Sequence, residues 1–132
     1  MASKIHNPNT VTHGAIQMEN AVSVAVNENM AAALVGDEAD VYATACVDGM
    51  VSQSINVGCN DLAAAIPAGK YTTLSASFQV VDGTSATMTC TMAKAIGNSK
   101  NTAYGGVAGN AMYMFYAVSP DGTTNPISWT GA

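Results

Sequence analysis

The sequence contains no arginine. Its cations are four lysines, set against nine acids, and the formal net charge is -5. Arginine is the usual fork for phosphates and base edges. A few lysines on an acidic chain track a phosphate backbone poorly. Nucleic acid is therefore not an expected partner. Charge of either sign is scarce: 10% of the residues carry it, against about 25% in ordinary proteins. The exposed faces must then consist largely of Ser, Thr, Asn, Gln, Ala and Gly. Such a surface suits packing against neighbours, because interface centres are depleted in charge.

Other shortages exclude further classes. Cys46, Cys59 and Cys90 are an odd set without CxxC spacing, so neither a disulfide framework nor a zinc site is expected. The two histidines, His6 and His13, both lie near the start. A catalytic triad would have to use one of them. Cys46 or Cys59 with His13 is conceivable as a dyad, but no spacing supports it, and a cysteine in a strand-like run is usually an inert small hydrophobe. Asp48, Asp82 and Asp121 read as turn residues, and no acid sits mid-strand where burial would raise its pKa for acid–base work. The Tyr104-Gly-Gly-Val-Ala-Gly109 stretch lacks the lysine of a phosphate loop. No enzyme, cofactor or metal is expected. Asp37, Glu38 and Asp40 are the densest charge, and hard cations favour carboxylates on a bent backbone. The spacing and closing Glu of an EF-hand are missing, so a solvated loop is expected. No run approaches ~18 apolar residues, so no membrane-spanning helix is expected. The opening Met-Ala-Ser-Lys-Ile-His lacks the apolar run of a signal peptide. The expected location is a cytoplasm, or a virion assembled there.

What the chain does have is alternation. Leu74, Ala76, Phe78 and Val80 alternate with hydroxyl or amide residues, and so do Ala86, Met88, Cys90 and Met92 after Asp82-Gly83. Alternate side chains of a strand point to opposite faces, and Asp-Gly tolerates the positive φ of a tight turn. Residues 71–96 are therefore a β-hairpin. Val41–Val47 and Val51–Val57 around Asp48-Gly49-Met50 predict a second hairpin. Val22, Val24 and Val26 predict another strand, and residues 29–35 a strand or one irregular turn. Asn60–Ile66, with a capping Asn60 or Asp61 and Pro67 beyond, reads as a helical turn or two. Residues 97–109 read as a long polar connection. Pro126 places the strand 125–130 at an edge or at its own start.

About seven or eight short strands with turn signals between them predict an all-β, single-domain antiparallel β-sandwich or jelly roll. Residues 1–10, with Pro8 between asparagines, read as an N-terminal arm, and residues 11–132 as the sandwich domain. Residues 111–118 are apolar on both faces. Ala111, Tyr113, Phe115 and Ala117 suit a packed interior. Met112, Met114, Tyr116 and Val118 then form a second apolar face that needs cover. That face, with Ile5 of the arm and Tyr104 of the polar connection, is the candidate assembly interface. The expected function is structural. A virion component such as a bacteriophage capsid decoration (cement) protein fits this composition. Its expected partners are further copies of itself, a trimer among the options, and a major capsid protein. The alternative is a carbohydrate-binding or adhesion module using Trp129 and Tyr104 as stacking platforms.

Overall fold

The structure, a computed structural model, describes residues 6–80, 85–103 and 107–131. The strands are β1 (His6–His13), β2 (Ile16–Met18), β3 (Ala21–Val35), β4 (Ala45–Cys59), β5 (Tyr71–Val80), β6 (Ser85–Ala103), β7 (Val107–Ala117) and β8 (Ile127–Thr130). No helix occurs among the described residues. All pairings are antiparallel and belong to one sheet of order β2-β1-β5-β6-β7-β4-β3, with β8 added to β6.

Strand β6 explains how one sheet encloses a core. Its first half pairs with β5 on one edge and, from Thr87 to Cys90, with β8 on the other. From Ala93 onward β7 takes over that second edge. The inward residues change parity on the way. Ala86, Met88 and Cys90 are buried, and then Ala93 and Ala95. The extra residue lies opposite the step from Thr72 to Leu74. A bulge of this kind bends and twists a strand. The sheet folds over on itself, so that β1 and β7 share one interior: the His13 and Phe115 rings lie 4.7 Å apart. Val11, Met18, Ile55, Val57, Leu74, Met88, Tyr113 and Phe115 are fully buried around them. This two-layered packing of a single antiparallel sheet is consistent with the expected sandwich.

Several local expectations are corrected. There is no turn at Asp48-Gly49. Strand β4 runs straight through it, and its partner is β3, joined by the turn at residues 36–44. The Asp-Gly pair sits instead in a bulge: Met30 pairs with Val51 but Ala32 with Asp48, so β4 carries one residue more. Gly49 is needed there because a Cβ would meet Ala31 O at 2.7 Å. Turn chemistry and bulge chemistry draw on the same residues, and β3 supplies a longer partner than a folded-back β4 would. Residues 61–67 are extended rather than helical. Ala64 and Ile66 are buried while Ala63 and Ala65 are exposed, a period of two. The Asp61 carboxylate is occupied by the Glu19 amide at 3.1 Å and the Ala63 amide at 2.9 Å.

The polar connection is mostly strand. β6 continues to Ala103, with Asn98 opposite Tyr113 and Asn101 opposite Asn110. Residues 6–10, expected in the arm, form the first half of β1, with a register break between Pro8 and Thr10 where the proline cannot donate. Residues 1–5, the Asp82-Gly83 turn and Tyr104 lie outside the described residues. Met92, expected inward, is open to solvent because of the β6 bulge.

Phe78 is buried beneath the single tryptophan, Trp129, whose ring stacks on it at 5.9 Å. Phe78→Ala is expected to cost about 3–5 kcal/mol and to red-shift Trp129 emission. On the other face the Ser77 hydroxyl bonds the Thr10 amide and carbonyl. Ser77→Ala should therefore cost about 0.5–1.5 kcal/mol without moving the emission. Equal denaturant midpoints for the two variants would contradict this facing.

Candidate functional site

Strands β3 and β4 stay paired far beyond the body of the protein. β4 pairs with β7 only from Cys59 to Ser54. Beyond that point it holds β3 alone, as far as Ala45 opposite Val35. At about 3.3 Å per residue, the seven steps from Glu28 to Val35 carry the tip roughly 23 Å outward. All residues from 27 to 52 are exposed. The outgoing ribbon has no other strand on either edge among the described residues.

The composition of this ribbon is unlike that of a solvated loop. Met30, Leu34, Val35, Val41, Tyr42, Val47, Met50 and Val51 are all open, with Leu34 at 75%, Tyr42 and Met50 at 84% and Val41 at 88%. The alternation within each strand puts apolar groups on both faces. Met30 and Val51 share one, and Ala33 and Val47 the other. The tip itself is ordered by its acids: Asp40 Oδ2 accepts the Asp37 amide at 2.7 Å, and the Asp40 amide reaches Asp37 O at 2.9 Å. The Thr44 amide then closes on Val35 O at 2.9 Å. The Asp40 carboxylate is thus engaged within the turn.

A groove of about 490 Å³ opens where the ribbon leaves the body, lined by Met50, Val51, Gln53, Tyr116, Val118 and Ser119 among others. The loop 119–126 forms its rim. Asp121 organises that loop. Its carboxylate accepts the Thr123 and Thr124 amides at 2.9 and 2.8 Å and the hydroxyls of Ser119 and Thr124 at 3.1 and 2.7 Å. These hydrogen bonds, the Thr124 amide first, hold its pKa far below the usual carboxylate range. Asn125 Oδ1 ties the rim to the ribbon by accepting from Gln53 Nε2 at 3.1 Å and from the Ile127 amide at 3.0 Å.

The candidate interface residues divide as follows. Tyr113 and Phe115 are in the core, and Met112 and Tyr116 are exposed. Met114 and Val118 are half-buried. Tyr116 lies opposite both Ser54 and Lys94, and Lys94 lies opposite Tyr71. Tyr71, Lys94 and Tyr116 therefore make a row across the outer face, with Met92, Ile96 and Met112 open on the same three strands. Ile5 and Tyr104 lie outside the described residues. Sequence reasoning missed the ribbon. The signal was present in the unbroken apolar run of residues 30–35 and in the absence of a lysine from residue 5 to residue 69.

The groups considered for chemistry are engaged elsewhere. His13 is buried. Its Nε2–H donates to Ala93 O at 2.9 Å, and its Nδ1 has no hydrogen-bond partner. Cys59 Sγ donates to Asp61 O at 3.8 Å, so the two are not paired as a dyad. Burial pushes the thiols of Cys59 and Cys90 up, against nucleophilic use. Cys46 is exposed on the ribbon. Tyr113 donates its hydroxyl to Asp61 O at 2.9 Å and to Ala64 O at 3.3 Å, and burial raises its pKa. Asp61, held low mainly by the Glu19 amide, fixes the same corner. Among the described residues no group of three potential ligands converges as a metal site. Trp129 has one ring face against Phe78. No family model matches the chain, and no curated protein matches it.

The rim loop gives a pH prediction. The folded pKa of Asp121 lies below its unfolded value of about 3.9. The bracing is therefore complete above that value and is lost as pH falls through the folded one. The Thr123 and Thr124 amides should stay protected from exchange down to about pH 4. In Asp121→Asn they should exchange faster already at pH 7. Equal protection in both proteins at pH 7 would contradict the role given to the carboxylate.

Proposed function

We propose that the protein is a structural assembly component acting through contacts between subunits, of the kind found in virions as capsid decoration proteins. Its partners in this reading are further copies of itself and a larger shell protein. One observation carries the reading: the β3–β4 ribbon projects from the body with apolar side chains on both faces. A two-stranded hairpin alone is marginally stable in water. An apolar patch of this extent is rare on a free monomer and marks an interaction surface. The run of 26 exposed residues, 27–52, is close to the roughly 20–30 residues that each side of a standard interface uses. The scarcity of charge and the hydroxyl groups on the outward sides of β5 and β6 add support. The link to virions is an analogy of class, resting on size, composition and the projecting ribbon.

Sedimentation tests this. The wild-type protein is expected to self-associate at micromolar concentration. A variant in which a two-residue turn replaces residues 29–51 should sediment as a monomer with unchanged body circular dichroism. Wild-type protein that stays monomeric up to about 100 μM, in the affinity range of weak contacts, would overturn the reading.

A further inference from the structure

Charge in this chain is segregated by element. The ribbon, residues 27–52, contains Glu28, Asp37, Glu38, Asp40 and Asp48 and no lysine. Strands β5, β6 and β7 contain Lys94 and Lys100 and no acid, and Lys70 immediately precedes β5. Lys94 lies between Tyr71 and Tyr116 on the outer face. The Lys70 carbonyl accepts the Ala95 amide at 2.8 Å, so Lys70 lies beside an inward-facing residue of β6 and outside this row. Both lysines are exposed, and neither meets an acid among the described residues. The apolar exposure follows the same division. Of the 15 large hydrophobic residues left open among the described residues, eight are on the ribbon and five, Tyr71, Met92, Ile96, Met112 and Tyr116, are on β5–β7.

We infer that the occupant of the β5–β7 outer face is the acidic ribbon of a second copy of this chain. This rests on the assembly reading above and adds to it the partner and the two surfaces. Leu34, Val41 and Tyr42 at the tip cover Met112, Tyr116 and Tyr71, while Asp37 and Glu38 meet Lys94. Complementary potentials of this kind set orientation and reject the wrong pairing. The two surfaces differ, so the contact is head-to-tail. Such contacts close into rings when the rotation allows and otherwise grow into filaments. A ribbon reaching well beyond its own body can span to its neighbour's sheet, and the pairing covers both apolar surfaces at once.

Charge exchange tests the inference. One variant carries Asp37→Lys and Glu38→Lys, leaving Asp40 to brace the turn. The other carries Lys94→Glu. All three sites are exposed, and circular dichroism checks that each variant is folded. Each alone is expected to need at least about 100-fold more protein to associate than the wild type, as like charges are brought together. An equimolar mixture should assemble at wild-type concentrations, because each tip then faces an oppositely charged sheet. A single chain with all three substitutions should also self-associate. If both variants assemble like the wild type, or if mixing restores nothing, this contact is wrong while the assembly reading stands. A wild type that never associates removes both.

Discussion

The architecture depends on one strand changing its inward face partway along. Without its bulge, β6 would present Ala86, Met88 and Cys90 to the core and then Met92, Lys94 and Ile96. A lysine would be buried without a partner, at a cost of several kcal/mol. The extra residue resets the alternation, so that Ala93 and Ala95 turn inward and Lys94 outward. The same kink aims the second half of β6 at β7 and the first half at β8. One sheet thereby wraps both sides of a core. The small inward alanines let the layers approach closely enough for His13 to lie on Phe115. His13 keeps one hydrogen bond there, to Ala93 O, while its Nδ1 has no hydrogen-bond partner.

The outward turn of Lys94 connects the core to the surface. The residue change that protects the interior also sets a cation between two tyrosines on the exposed side. A lysine flanked by two tyrosines is a mixed apolar and cationic surface, suited to an acidic, apolar counterpart. The ribbon has that composition. Packing inside the sheet and the recognition proposed outside it would thus be two consequences of the same register.

Legibility in the sequence followed the range of the interaction. The hairpin 71–96, the edge position of the strand after Pro126 and the facing of residues 111–117 were readable, because each depends on alternation within one short stretch. The β3–β4 pairing was not. Asp48-Gly49 has the composition of a turn, and only the presence of a 15-residue partner, β3, decides that it is a bulge. Asn60–Ile66 has the caps of a helix. Its buried Ala64 and Ile66 and the reach of Tyr113 to the Asp61 and Ala64 carbonyls override them. Residues 97–103 looked like loop because glycine and asparagine are poor strand formers. Their strand state comes from pairing with β7, which no local pattern announces.

The same distinction applies to the surface that matters. An isolated chain of this composition pays twice for the ribbon: its outer backbone edges lie unpaired, and its valines, methionines and tyrosine stand in water. Edge strands are ordinarily protected by lysine, proline or brevity. This ribbon is long, lacks both residue types between 27 and 52, and carries only acids. Acids of one sign keep two ribbons from pairing edge to edge with each other, since like charges would be brought together along the strands. They leave open an approach to a face that is cationic or neutral. Selection against ribbon–ribbon pairing and the proposed attraction to β5–β7 thus follow from one choice of charge, the absence of lysine from the ribbon.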